Sequence, residues 1–147
     1  MKILRIRDVK LPARANLTDA GIDLFIPNDY PLTPIRPGES VLIPAGIKVN
    51  VPENHALILF NKSGIATKKG LVVGACVIDE PYQGEVHINL FNIGSKTQTI
   101  IGGDKITQAI CIPVNYVNIE EVTSVDELYD GKITSRGDGG FGSTGTK

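Results

Sequence analysis

Five polar segments interrupt a β-type sequence pattern, and their residue types suit the handling of a phosphorylated ligand. The last of them, Arg136-Gly-Asp-Gly-Gly-Phe-Gly-Ser-Thr-Gly-Thr-Lys147, combines a guanidinium, one aromatic ring at Phe141, hydroxyls at Ser143 and Thr144, and backbone N–H groups beside five glycines. A ring can stack on a base, while a guanidinium and clustered N–H donors hold phosphate oxygens. The same stretch has too little apolar surface to offset the entropy of ordering itself. A flexible tail over residues 131–147 is therefore expected, either as a plain mobile terminus or as a flap that orders over a ligand.

The other four segments are Ala20-Gly21-Ile22-Asp23-Leu24, Asn61-Lys62-Ser63-Gly64, Gly74 through Glu85, and Gly103-Asp104-Lys105-Ile106-Thr107-Gln108. Asp79 is a carboxylate in a mainly apolar run between Gly74 and Gly84. A carboxylate so placed can serve as a general base, or it can cap its own turn. Tyr82 reads as hairpin packing or as a wall against a ligand, and Gly74 would let backbone come close to one. Ser63 and Gly64 read as a strand-to-turn pair or as a phosphate loop, and Gln108 as an exposed strand residue or an amide clamp. Cys76 and Cys111 form no metal or disulfide spacing and read as two small buried thiols. His55 and His87 alternate with apolar neighbours and read as strand residues.

The elements that must position these groups are strands. Ile47-Lys48-Val49-Asn50-Val51 and Val86-His87-Ile88-Asn89-Leu90 alternate strictly, and Leu57–Phe60 and Ile106–Ile112 are rich in β-formers. Turn chemistry recurs at Pro37-Gly38, Pro44-Ala45-Gly46, Pro52-Glu53-Asn54 and Gly102-Gly103. Helix is expected only over residues 63–69 and, behind a Ser124 cap, over residues 124–129. An all-β, jelly-roll-like sandwich or barrel spanning residues 1–130 follows, with residues 131–147 as its tail.

Bulk properties exclude several classes. With 147 residues and a net charge of −1, the chain is one domain without the basic excess of a nucleic-acid surface. The start, Met1-Lys-Ile-Leu-Arg-Ile-Arg7, mixes charge with apolar residues, unlike a signal peptide, and a cytoplasmic location is expected. The longest mostly apolar run, residues 71–78, is too short to span a bilayer, so no membrane partner is expected. Gly137-x-Gly139-x-x-Gly142 has dinucleotide-fingerprint spacing but has no preceding strand and no room for a following helix. Arg136-Gly-Asp138 matches an adhesion tripeptide without any sign of secretion, and a Walker A motif is missing.

In order and spacing the five segments resemble the five motifs of the trimeric dUTP diphosphatases, from about residue 20 to the C-terminus. The most specific parts are Ile78-Asp79-x-x-Tyr82 and the uninterrupted Arg136-Gly-x-Gly-Gly-Phe-Gly-Ser-Thr-Gly145. The resemblance implies Mg²⁺-dependent hydrolysis of dUTP to dUMP and pyrophosphate. It implies that Asp79 activates the water that attacks the α-phosphorus. Tyr82 would pack under the deoxyribose, and the hairpin around Gly74 and Val77 would read uracil through its backbone. Lys62, Ser63, Gly64 and Gln108 would hold the phosphates, with Asp104 orienting Lys62 and Asp23 anchoring waters around Mg²⁺. Arg136 would grip the γ-phosphate, Phe141 would stack on uracil, and Gly142, Ser143 and Thr144 would complete the closed tail.

The resemblance further implies a homotrimer with shared sites. One subunit would supply the Asp23, Ser63 and Gln108 segments, a second the Asp79 hairpin and a third the tail. Four positions depart from the family pattern: Lys62 for Arg, Cys76 for Gly, Pro81 for Asp or Gly, and Thr107 for Ala. Lysine lacks the planar fork of arginine, so a looser pairing of Lys62 with Asp104 is expected. Two neighbouring functions share the outline: deamination of dCTP, and a dUTP-binding regulator acting on a protein partner.

Overall fold

The structure is a computed structural model that describes residues 1–140; Phe141, Gly142, Ser143 and Thr144 lie outside the described residues. In chain order the strands are β1 (Lys2–Arg5), β2 (Ile22–Phe25), β3 (Thr33–Ile35), β4 (Ser40–Pro44), β5 (Ile47–Asn50) and β6 (His55–Asn61). They continue with β7 (Leu71–Val73), β8 (Val77–Ile78), β9 (His87–Asn92), β10 (Gln98–Ile100) and β11 (Lys105–Pro113). The helices are α1 (Ser63–Lys69) and α2 (Val125–Tyr129). The expected all-β, jelly-roll-like architecture is what forms.

Alternation becomes burial directly. In β5, Ile47 and Val49 are buried while Lys48 and Asn50 are exposed, because successive side chains of a strand leave opposite faces. A four-stranded antiparallel sheet runs in the order β2-β11-β6-β8, and a three-stranded one in the order β4-β9-β7. Two strand pairs, β1-β5 and β10-β3, complete the set. Ile26, Ile35, Ile43, Ile88, Leu90 and Ile100 form the driest part of the core, each at most 1% exposed. The turn sequences read from the chain take positive φ at Gly38, Gly46, Asn54 and Gly103.

Both helices occur where expected. Ser124 caps α2 by accepting a hydrogen bond from Glu127 N at 3.1 Å, which satisfies one of the free donors of the first turn. Lys62 precedes α1 in extended conformation, so Ser63 and Gly64 are its opening residues.

Long-range contacts divide the chain into two compact units, Met1–Asn115 and Tyr116–Lys147. The division falls N-terminal to the Gly-rich tail expected from residue 131 and places α2 in the second unit. The two cysteines are free and half-buried, not fully buried as expected. Cys111 lies on the last strand of the four-stranded sheet to be made, and Cys76 lies in the loop leading into β8.

Candidate active site

Two concavities each collect part of the first four polar segments, while Ser63, Gly64, Gly74 and Asp104 line neither. The first lies at the β8 end of the four-stranded sheet. Val77 and Ile78 pair with Ile58 and Leu57, and the chain then turns so that Tyr82 N donates to Asp79 O at 3.1 Å. Asp79 and Tyr82, with Ala75, Cys76, Val77 and His87, line a mainly apolar cavity of about 190 Å³. Gly74 N donates to Asn89 O at 2.9 Å, and Ala75 N to Asn89 Oδ1 at 3.2 Å, which ties the start of this hairpin to β9. The Asp79 side chain is exposed, where it can meet solvent and a ligand phosphate together.

The second concavity, about 360 Å³, is lined by Gly21, Asp23, Lys62, Lys105 and Gln108, together with Asp19 and Ala20. Register brings these residues together: Gln108 on β11 faces Asp23 on β2 and Phe60 on β6, one residue before Asn61 and Lys62. Gln108 Nε2 donates to Asn61 O at 2.8 Å. Its side chain lies against Gly21, where a Cβ would come within 2.1 Å of Gln108 Oε1. Only glycine leaves room for the amide at this point.

Asp23 is 5% exposed and is the electrostatic centre of this pocket. Lys62 Nζ donates to its Oδ1, and Lys105 Nζ lies 2.9 Å from its Oδ2. Burial opposes ionisation of the carboxyl, but the hydrogen bonds and positive charge of Lys62 and Lys105 outweigh it and hold Asp23 below the usual aspartate range. Two ammonium groups thus converge on the one buried carboxylate of the pocket, whose other carboxylate, Asp19, accepts from Asn16.

The sequence reading expects Asp104 to orient Lys62; in the structure the two have other partners. The Asp104 carboxylate accepts from Ile101 N at 3.1 Å and its carbonyl accepts from Ile26 N at 2.9 Å. It closes the turn that launches β11, while the partner of Lys62 is Asp23. Arg136 lies in the second unit, within a turn in which its Nε donates to Gly139 O at 2.8 Å.

A family profile for dUTPase matches residues 7–145. The chain belongs to the dUTPase family. A deoxyuridine 5′-triphosphate nucleotidohydrolase of Hahella chejuensis is 41% identical over 143 residues, covering 95% of this chain and 90% of that relative. The corresponding mouse protein is 40% identical over 134 residues, covering 91% of this chain and 77% of its own. Among solved structures, Staphylococcus bacteriophage 80alpha dUTPase with dUpNHpp superposes with a TM-score of 0.85 at 23% identity, covering 99% of this chain and 98% of that one. A mutant dUTPase from phage phi11 of S. aureus, whose structure concerns the coordination of a structural Mg(II) ion, superposes at 0.75 with 23% identity over 85% and 97% of the two chains. The two phage structures share the fold with this member of the dUTPase family.

The sequence reading of this dUTPase-family chain overlooked Lys105. Counting alternately along β11 from Gln108 puts Ile106 on the pocket face and Lys105 on the core face. A bulge between Lys105 and Thr107 opposite β2 changes that. Ile106 and Thr107 are both buried, at 2% and 0% exposed, and Lys105 emerges beside Asp23. An inserted residue shifts the phase of a strand, and bulges often re-aim side chains in this way. The β-branched Ile-Thr pair after Gly-Asp-Lys carries no distinctive signal of it.

Proposed function

We propose that the protein hydrolyses dUTP to dUMP and pyrophosphate in the cytoplasm, working as a homotrimer. The observation that carries this reading is the pairing of a small apolar hairpin cavity holding a carboxylate with a separate polar pocket that presents two ammonium groups, Lys62 and Lys105, and the Gln108 amide. One suits a pyrimidine nucleoside and the other suits a triphosphate. The two have no lining residue in common, which favours a site completed by neighbouring subunits. Phe60 and Val77 project from the four-stranded sheet at 39% and 59% exposure and offer apolar surface for such contacts. Among the described residues no helix is long and apolar enough to cross a membrane.

In this mechanism uracil enters the hairpin between Gly74 and Val86, where backbone N–H and C=O groups around Val77 read its edge. Tyr82 packs beneath the deoxyribose and leaves no room for a 2′-hydroxyl, so ribonucleotides are rejected by steric conflict. Lys62, Ser63, Gly64 and Gln108 hold the phosphate chain, and Lys105 adds a second cation. Asp79 accepts a proton from a water molecule as its oxygen bonds to the α-phosphorus. The bond from the α-phosphorus to the bridging oxygen breaks, and pyrophosphate leaves with that oxygen. Arg136, Phe141, Gly142, Ser143 and Thr144 close over the nucleotide within the 131–147 tail, excluding bulk water from the reaction.

Groups of three or more His, Cys, Asp or Glu side chains able to hold a metal ion are missing among the described residues. Of the two pocket carboxylates, Asp23 is already engaged by two ammonium groups and Asp19 accepts from Asn16. Such a set does not fit a directly ligated ion, but it fits Mg²⁺ carried by the triphosphate, since bound phosphates would reverse the local charge. Asp23 is the carboxylate that would face the ion's waters, and the ion would supply further charge neutralisation.

Pyrophosphate release measured across deoxy- and ribonucleoside triphosphates, with and without Mg²⁺, tests this reading. Turnover confined to dUTP is expected. Ammonia release from dCTP would instead indicate deamination, and dUTP binding without turnover would indicate a sensor.

A further inference from the structure

Tyr82 is held from beyond the nucleotide cavity. Its hydroxyl donates to Glu85 O at 2.8 Å. The ring folds back over Gly84 so closely that a Cβ there would lie 2.3 Å from Oη and 2.4 Å from Cζ. Glycine at 84 is therefore the seat of the ring. His87 Nδ1 also lies 2.9 Å from Glu85 O. A carbonyl oxygen only accepts, so Tyr82 and His87 both donate to this one atom.

Glu85 is itself fixed. Its Oε1 accepts from Arg7 Nε at 2.9 Å and from Gly46 N at 3.0 Å, and its Oε2 accepts from a second Arg7 nitrogen at 3.5 Å. Burial opposes the charge on Glu85, but the Arg7 and Gly46 contacts outweigh it and hold the carboxyl below the usual glutamate range. The side chain is 16% exposed, so the pair is shielded on the glutamate side. Gly46 O in turn accepts from Ile6 N at 2.9 Å and Arg7 N at 3.3 Å. Next door, Val86 N donates to Ile47 O and Ala45 N to Val86 O, at 2.9 and 2.8 Å. The segment after β1, the turn before β5 and the hairpin thus meet at Glu85.

We propose that Arg7, Gly84 and Glu85 are positioning residues for sugar discrimination: they lock Tyr82 through its hydroxyl and so set how strictly a ribose is refused. This rests on the reading of Tyr82 as the wall beneath the deoxyribose. A wall that must sense one extra oxygen atom works only if it cannot yield. A partly exposed tyrosine on a hairpin has two soft torsions. One hydrogen bond at its far end and a glycine seat under its ring remove that freedom, in the way supporting contacts hold a recognition residue to its working geometry.

The test is the ratio of kcat/KM for dUTP to that for UTP in Tyr82→Phe, Glu85→Ala, their double variant and Tyr82→Ala, with melting temperatures alongside. Tyr82→Phe should lower the ratio by roughly two- to tenfold, the worth of one hydrogen bond, and Glu85→Ala, which keeps the carbonyl but frees it from Arg7 and Gly46, should lower it by up to as much. The double variant should lose no more than the larger single loss, since Glu85→Ala keeps the carbonyl and acts on the ring only through the bond that Tyr82→Phe removes. A purely structural role would lower the melting temperature and leave the ratio unmoved. The inference is overturned if both single variants keep the wild-type ratio while Tyr82→Ala lowers it. Should Glu85→Ala fail to fold, Tyr82→Phe decides alone, because it removes only a hydroxyl whose acceptor retains His87. An unchanged ratio in Tyr82→Ala would remove the sugar-wall reading itself, and this inference with it.

Discussion

Tyr82 N donates to Asp79 O at 3.1 Å, so the proposed base and the proposed sugar wall are the two ends of one tight turn. Neither can shift far without the other. A rigid link between the group that recognises the sugar and the group that activates water ties correct binding to correct aim, and misplacement by about 1 Å can cost on the order of a hundredfold in rate.

Asp79→Asn keeps the shape of the side chain and removes its basicity. Binding of a non-hydrolysable dUTP analogue should persist, while pyrophosphate release falls by roughly 10²–10⁴-fold. Near-parental turnover in this variant would rule out Asp79 as the base.

Lys105→Met should weaken dUTP through KM more than through kcat, and should affect dUMP far less, because the lost charge faces the phosphate chain. Lys62→Met should behave likewise. Binding measured by calorimetry for dUMP, dUDP and dUTP resolves this. Equal losses for all three ligands would place the lysines away from the phosphates.

Acid stability should depend on Asp23 and Glu85. Both carboxyls are held below their ordinary values of 3.8 and 4.5. A carboxyl lowered on folding contributes stability above its unfolded-state pKa, and that contribution is lost as pH falls through the folded-state value. The melting temperature should therefore be flat near neutrality and fall below about pH 4. Asp23→Asn and Glu85→Gln should start lower at neutral pH and lose less on acidification. Acid limbs identical to the parent's in both variants would show that neither pair contributes.

Deleting residues 136–147 should leave a folded, associated protein with little activity. Circular dichroism, sedimentation and pyrophosphate release on the same sample separate the outcomes. Loss of fold would make the tail structural.

Much of the fold was legible because its signals are local. Strict alternation at residues 47–51 and 86–90 marks half-buried strands, and Ser124 announces a helix start. Chain elements without such patterns were missed. β2 is buried at all four positions and so cannot alternate, and β8 has only two residues. Family membership was also legible, since five motifs in fixed order survive however the chain is folded.

Pairings between distant residues were not legible. Which carboxylate holds Lys62 could not be read from spacing: Asp23 is 39 residues away, and Asp104, at a comparable separation, bonds within its own turn. Lys105 reaches the pocket only because a bulge resets the alternation of β11. Arg7 meets Glu85 across 78 residues. A sequence by itself determined which local shapes are cheap and which chemistry is on hand. The closing of strands into register decided which charges face each other, because electrostatic partners are chosen by distance in space and not by position along the chain.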